Sequence, residues 1–256
     1  MDSKQNSYLS EKKTTLKNEK SSGLPEPLGL YNPRHEHDAC GIGFVADIKN
    51  RKSHDIIADG LKILDNLEHR GAVGADPKAG DGVGILIQTP DAFFRKVCNE
   101  AGFDLPEEGS YAVGFFFLPP DTENRSQVEL IAEKIVTEEG HTVLGWRDVP
   151  VDNSDLGESI FPSEPQSRQL LIGNAQDTGN RDKFDRELFV IRRRIEIEVK
   201  KLGNPDIDGF FYIPSMNSRT VLYKGLLLSS QLGPYYLDLQ DKDMVSAMAL
   251  VHQRFS

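Results

Sequence analysis

Cysteine is scarce in this chain: its 256 residues include only Cys40 and Cys98, which excludes a small secreted scaffold stapled by disulfides. Long apolar runs are missing as well. The longest, Tyr111 to Leu118, is eight residues, against the roughly 18 needed to span a bilayer. There is no surplus of basic charge, since 30 Lys and Arg face 40 Asp and Glu for a net charge of -10. A binder of nucleic-acid backbones would carry the opposite balance. The N-terminus has neither the apolar segment of a secretory signal nor an Arg-rich, acid-free transit pattern. The expectation is a cytoplasmic protein with no membrane and no nucleic acid among its partners.

What is present divides sharply near residue 40. Residues 1–39 carry six basic and six acidic side chains, so the whole net charge belongs to residues 40–256. The first twenty residues are polar and should be disordered. Leu24 to Asp38 adds three prolines and reads as an irregular arm. From Gly41 to Ile48 the composition turns apolar, as in a buried strand.

Strand and helix patterns then alternate. Helices are expected over Asp55 to His69, with Asp55 as N-cap, over Asp91 to Ala101, and over Arg125 to Glu139. Lys183 to Leu202 is the clearest helix, with Phe184, Leu188, Ile191, Ile195 and Val199 on one face. Strands are expected at Val83 to Gln88, Tyr111 to Leu118, Val143 to Val149 and Gln169 to Ile172. Phe210 to Pro214 and Thr220 to Lys224 have hairpin character, and Ser246 to Phe255 supplies a last strand. Asp152 to Gln166 reads as a loop. The sum is an α/β or α+β sandwich with one core, preceded by an arm.

Cys40 is the first candidate for chemistry, because it stands where the arm meets the first core strand. Removing the arm would make it residue one and place a free α-amine beside its own thiol. That amine, with a reference pKa of about 7.7–8.0, can act as base toward a thiol near 8.5. The alternative is a small buried hydrophobe, which is also the reading of Cys98. Gly41 to Ala46 carries the letters of a dinucleotide fingerprint, but its glycines begin a strand instead of opening a helix. Gly80 to Gly84 lacks the Lys-Ser/Thr ending of a phosphate loop and reads as a tight turn near a functional site. His35 and His37 lack further ligands for a metal. Arg192 to Arg194 lie among acidic residues and read as helical salt bridges.

Three stretches carry a resemblance. Tyr31 to Ala46, containing Asp38-Ala39-Cys40-Gly41-Ile42-Gly43, resembles the propeptide junction of glutamate synthase large subunits. Leu64 to Ile85, with Glu68-His69-Arg70-Gly71-Ala72 and Gly80-Asp81-Gly82-Val83-Gly84, is similar to that family's next block. Ser218 to Gly225 and His252-Gln253-Arg254-Phe255-Ser256 are similar to its later ones. The resemblance covers residues 31 to 256 and implies a class II glutamine amidotransferase domain. The fold so implied is α+β, an N-terminal-nucleophile hydrolase type four-layer sandwich of two mainly antiparallel sheets flanked by helices. Residues 1–39 become a propeptide arm, and 40–256 a domain truncated at its C-terminal side.

By the same resemblance Cys40 is the nucleophile, exposed by cleavage after Ala39. Arg70 is the arginine near it, and Arg254 holds the α-carboxylate of glutamine. The expected activity is the glutaminase part of glutamate synthase, an oxidoreductase: glutamine is hydrolysed to glutamate and ammonia for reductive amination of 2-oxoglutarate. The partners implied are glutamine, a downstream synthase domain of the same chain, and a small electron-donating subunit or ferredoxin. FMN and a 3Fe–4S cluster are implied for the full-length enzyme, none for this fragment. The oxyanion-hole Asn-Gly pair and a substrate aspartate would lie beyond Ser256, so the fragment alone should be inactive. Two rivals are another class II amidotransferase and a non-catalytic amidotransferase-like interaction domain. Against the first stands the interval of 214 positions between Cys40 and Arg254, longer than in the smaller enzymes of the class. Retention of Cys40, Arg70 and Arg254 speaks against the second.

Overall fold

A computed structural model describes residue 29 and residues 41–71, 76–176 and 179–253, with Arg70 described by its backbone alone. The chain separates into two units, Met1–Ala39 and Cys40–Ser256. Among the described residues, every strand and helix belongs to the second.

Eight strands form two antiparallel sheets of four among those residues. The first sheet has the order β1–β8–β2–β7, with β1 at Ile42–Ala46, β2 at Val83–Gln88, β7 at Thr220–Gly225 and β8 at Met248–Gln253. The second has the order β4–β5–β3–β6, with β3 at Tyr111–Leu118, β4 at Thr142–Asp148, β5 at Gln166–Gly173 and β6 at Tyr212–Asn217. Alternation along β3 feeds two cores at once. Val113 and Phe115 face the first sheet, and Phe116 and Leu118 face away from it. The Phe115 ring meets Tyr223 of β7 edge-on at 5.3 Å and Tyr236 at 6.0 Å, a favoured geometry for aromatic pairs.

Helices α3 (Thr122–Glu138) and α4 (Arg181–Lys200) cover the outer face of the second sheet. Asp121 caps α3 by accepting from the Asn124 amide, and Asn180 caps α4 by accepting from that of Lys183, each satisfying an amide otherwise without a helical partner. The anticipated apolar face of α4, from Phe184 to Val199, is wholly buried. Its arginines do form salt bridges: Arg192 and Arg193 reach Glu196 within α4, while Arg194 crosses to Glu138 at the end of α3 and to Glu139 just after it.

Helix α1 (His54–Asn66) lies on the first sheet through Ile57, Gly60 and Leu64. It starts one residue before Asp55, and Ser53 holds the cap position without a side-chain hydrogen bond. Two glycines let the layers meet this closely. A Cβ on Gly60 would stand 2.8 Å from that of Ala249, and one on Gly43 would stand 2.2 Å from Ile63 Cγ2. Gly43→Ala is therefore expected to cost about 1–3 kcal/mol by overpacking. Thermal unfolding of the folded protein reads this, and an unchanged midpoint would contradict the packing described. Helix α2 (Asp91–Glu100) contributes Phe93, Phe94 and the fully buried Cys98 to the same core.

Two expectations are corrected. The strand β1 is not buried on both faces: it lies at a sheet edge, and Ile42 and Phe44 are 57% and 59% exposed. The segments β6 and β7 do not pair as a hairpin. The first pairs with β3 and the second with β2, so the turn between them carries the chain from one sheet to the other.

Candidate active site

The strands β1 and β8 run antiparallel with Ile42 opposite His252 and Ala46 opposite Met248. Beyond the ladder the Gln253 amide donates to the Gly41 carbonyl at 2.5 Å. Gln253 also stands opposite Val83 of β2, and Val83 stands opposite Gly225 of β7. One end of the sheet thus carries Gly41, Gln253, Val83 and Gly225 side by side. Strand spacing of about 4.8 Å puts the outermost two roughly 14 Å apart.

The segment after α1 closes onto this end. Glu68–Arg70 forms a single 3-10 turn, and the Gly71 amide donates back to the Glu68 carbonyl at 2.9 Å. Gly71 lies against the side chain of Gln253, so that a Cβ there would sit 2.3 Å from its Nε2. Gly41 and Gly71 therefore both lie against Gln253, the first against its backbone and the second against its side chain. The three adjoin Cys40, Arg70 and Arg254 in sequence. Cys40, Arg254 and the side chain of Arg70 lie outside the described residues, as do His35 and His37.

The glycine-rich loop is held from the opposite side. Asp76 accepts from Ser159 Oγ at 2.6 Å and from the Lys78 amide at 2.9 Å, and these bonds, Ser159 foremost, lower the carboxyl's pKa. Gly157 leaves room for that carboxylate, since a Cβ would meet its Oδ2 at 2.1 Å. Gln231 Nε2 donates to the Lys78 and Asp155 carbonyls at 3.3 and 2.8 Å. Gly80 then packs on Leu227, whose carbonyl oxygen would lie 2.1 Å from an added Cβ. Gly82 turns the chain into β2 with φ +119°, a conformation that favours glycine. The expected tight turn is present, and β1 opens no helix after Gly43, so neither glycine motif has the strand-to-helix setting of a nucleotide cradle.

On the outer face of the sheet, Lys224 and His252 flank Gly84: an added Cβ would meet His252 Nε2 at 2.6 Å and Lys224 Cβ at 3.0 Å. Burial lowers the Lys224 pKa, with Arg192 acting in the same sense, and its ammonium lies 5.0 Å from the centre of the Tyr212 ring. Beside Gly225 there is a cavity of about 450 Å³ lined by Phe117, Tyr212, Leu227, Tyr235 and Tyr236. Its walls suit an apolar group and offer little to a zwitterionic amino acid.

Among the described residues no group of three or more His, Cys, Asp or Glu could hold a metal ion, and no helix is long and apolar enough to cross a membrane. Cys98 is sealed in the core, where burial pushes its thiol pKa up to about 12. A thiol kept protonated there does not fit the thiolate ligation of an iron–sulfur cluster.

Two antiparallel four-stranded sheets flanked by helices agree with the α+β fold expected from the sequence. Residues 40–256 match the family of glutamine amidotransferases class-II, and the chain belongs to that family. Glutamate synthases are among its curated relatives. The NADPH enzyme's large chain from Bacillus subtilis is 45% identical over 91% of this chain and 15% of its own length. The NADH enzyme from Saccharomyces cerevisiae is 38% identical over 91% of this chain and 11% of its own. The chloroplastic ferredoxin-dependent enzyme from rice is 38% identical over 86% of this chain and 13% of its own. The chain thus spans less than a sixth of the length of these relatives.

Sequence reasoning named the three segments but overlooked Gln253 as anything more than part of a motif. Its signal was its place immediately before Arg254 in sequence, on a strand whose alternate residues pack inward.

Proposed function

We propose that this domain is the glutaminase of a glutamate synthase, with Cys40 as nucleophile and Arg70 and Arg254 as binding residues for glutamine. The observation that carries the reading is the convergence of Gly41, Gly71 and Gln253, the sequence neighbours of those residues, at one end of the first sheet. Family membership over 40–256 supports the same assignment. In this reading residues 1–39 are a propeptide, and cleavage after Ala39 frees the amine that serves as base.

The Cys40 sulfur attacks the side-chain amide carbon of glutamine, and its proton passes to the α-amine. The C–N bond then breaks, the α-ammonium returns the proton to the leaving nitrogen, and ammonia departs from a glutamyl thioester. Water, activated by the same amine, cleaves the thioester to glutamate and restores the thiol. The balance is glutamine plus water giving glutamate plus ammonia. A guanidinium fork from Arg254 or Arg70 matches the two oxygens of the substrate α-carboxylate.

Ammonia then serves reductive amination of 2-oxoglutarate in a synthase domain of the same chain, in the cytoplasm, with electrons from a small subunit or ferredoxin. FMN and a 3Fe–4S cluster are assigned to that other domain, and the buried Cys98 here suits no cluster ligation.

Uncleaved protein has an amide nitrogen at residue 40, which is no base. Intact mass and N-terminal sequencing of the active full-length enzyme should therefore show Cys40 as the first residue. A mature chain that keeps residues 1–39 and hydrolyses glutamine at full rate would refute the mechanism.

A further inference from the structure

The hydrolysis described above leaves the cavity beside Gly225 unused, and its lining is chemically one-sided. Two aromatic pairs form much of the wall. Phe117 stacks on Tyr212 with ring centres 6.3 Å apart, and Tyr235 meets Tyr236 edge-on at 4.7 Å. Among the described residues no Lys, Arg or His lines the cavity, and Glu164 is its single carboxylate. Tyr212 and Leu226 of the same lining are 40% and 57% exposed, so the space opens to solvent.

Glu164 is held in place by neutral donors. Its oxygens accept from the Tyr235 hydroxyl at 2.9 Å and from Asn153 Nδ2 at 2.9 Å. Burial first, with the Glu164 charge acting in the same sense, pushes the phenol pKa values of Tyr235 and Tyr236 up, so the carboxylate acts on both rings. The Tyr236 and Ser163 hydroxyls donate elsewhere, to the carbonyls of Lys224 and Ile160, each at 2.9 Å. Lys224 brings its ammonium to 5.0 Å from the Tyr212 ring centre but does not line the cavity.

These features select among ligands. An anion would meet Glu164, and so would the carboxylate of glutamine, glutamate or 2-oxoglutarate. A neutral apolar molecule would leave that carboxylate unmatched. An ammonium satisfies it with a charge-assisted hydrogen bond and is also attracted to the faces of aromatic rings. Its stem has to be apolar to match the walls.

We propose that this cavity binds a small organic monocation, a primary ammonium on an aryl or alkyl stem without a carboxylate, with Glu164 as counter-ion and the Phe117–Tyr212 and Tyr235–Tyr236 pairs around the stem. Such a site stands apart from the glutaminase reading and does not depend on it.

The test titrates the full-length protein calorimetrically with 2-phenylethylammonium and, as a control of similar shape and opposite charge, with 3-phenylpropionate. The ammonium is expected to bind with a Kd of about 1 mM or tighter, and the carboxylate at least about tenfold more weakly. Glu164→Gln keeps an acceptor for Tyr235 and removes the charge, and should weaken the ammonium at least about tenfold. The comparison of the two probes needs no variant, so a poorly folding Glu164→Gln leaves the charge test intact. No saturable binding of the ammonium up to about 10 mM, equal affinity for the two probes, or undiminished affinity in folded Glu164→Gln overturns the proposal.

Discussion

Replacing Cys40 with Ala in the full-length enzyme should lower glutamine hydrolysis by at least about a thousandfold, since removing the nucleophile of a covalent mechanism removes the pathway and not merely one contact. Substrate should still bind, because the proposed contacts to the α-carboxylate come from arginines. Isothermal titration with glutamine would then show affinity retained within about threefold, in keeping with uniform binding separated from chemistry. Cys40→Ser keeps a nucleophilic atom of higher pKa and should fall between the two. Residual hydrolysis above about one per cent in Cys40→Ala would mean that another group attacks the amide.

The second large effect concerns the fold. Arg147 of β4 donates from both terminal nitrogens to Asp238, at 2.8 and 2.9 Å, and also to Gln169 of β5 at 2.7 Å. Tyr223 of β7 donates to the same carboxylate at 2.9 Å. Arg147 is 6% exposed and Asp238 3%. Burial opposes the arginine's charge, and the adjoining carboxylate outweighs it, holding the pKa above its ordinary value. The network joins strands of both sheets. Asp238→Ala leaves a guanidinium buried without its counter-charge and should destabilise the protein by about 3–5 kcal/mol. Replacing both partners at once, Arg147→Met with Asp238→Leu, should cost far less, because no charge remains to be solvated. Urea unfolding of both variants reads the contrast. Equal losses in the two would show that packing, and not an orphaned charge, sets the stability.

Periodicity made α4 readable, because Phe184, Leu188, Ile191, Ile195 and Val199 share one buried face while Phe189, Val190 and Ile197 stay exposed. It also read β2, whose Val83, Ile85 and Ile87 are buried in one core, and β3, which feeds both cores. It misjudged β1, since an edge strand with an exposed face can be as apolar as a central one. The β6–β7 turn looked local and was not, for a short connection says nothing about which sheet each strand joins. Arg147 and Asp238 lie 91 positions apart, and neither carries a local signal of the other. For the site, the junction at Cys40 and the blocks around Arg70 and Arg254 were legible as letters. What letters could not show was that the glycines beside them are spacers for a glutamine side chain.

The hydrogen bond between Gly41 and Gln253 has a consequence for maturation. It ties the start of β1 to a rigid ladder, so that cleavage position becomes distance. Cutting after Ala39 leaves one residue ahead of the tether. Cutting one peptide bond earlier would shift the new amine along the chain by about 3.8 Å, more than a hydrogen-bonded proton transfer spans. Under the proposed mechanism the cut must therefore be accurate to a single bond, since an arm trimmed to within one residue would hold the new amine away from the thiol.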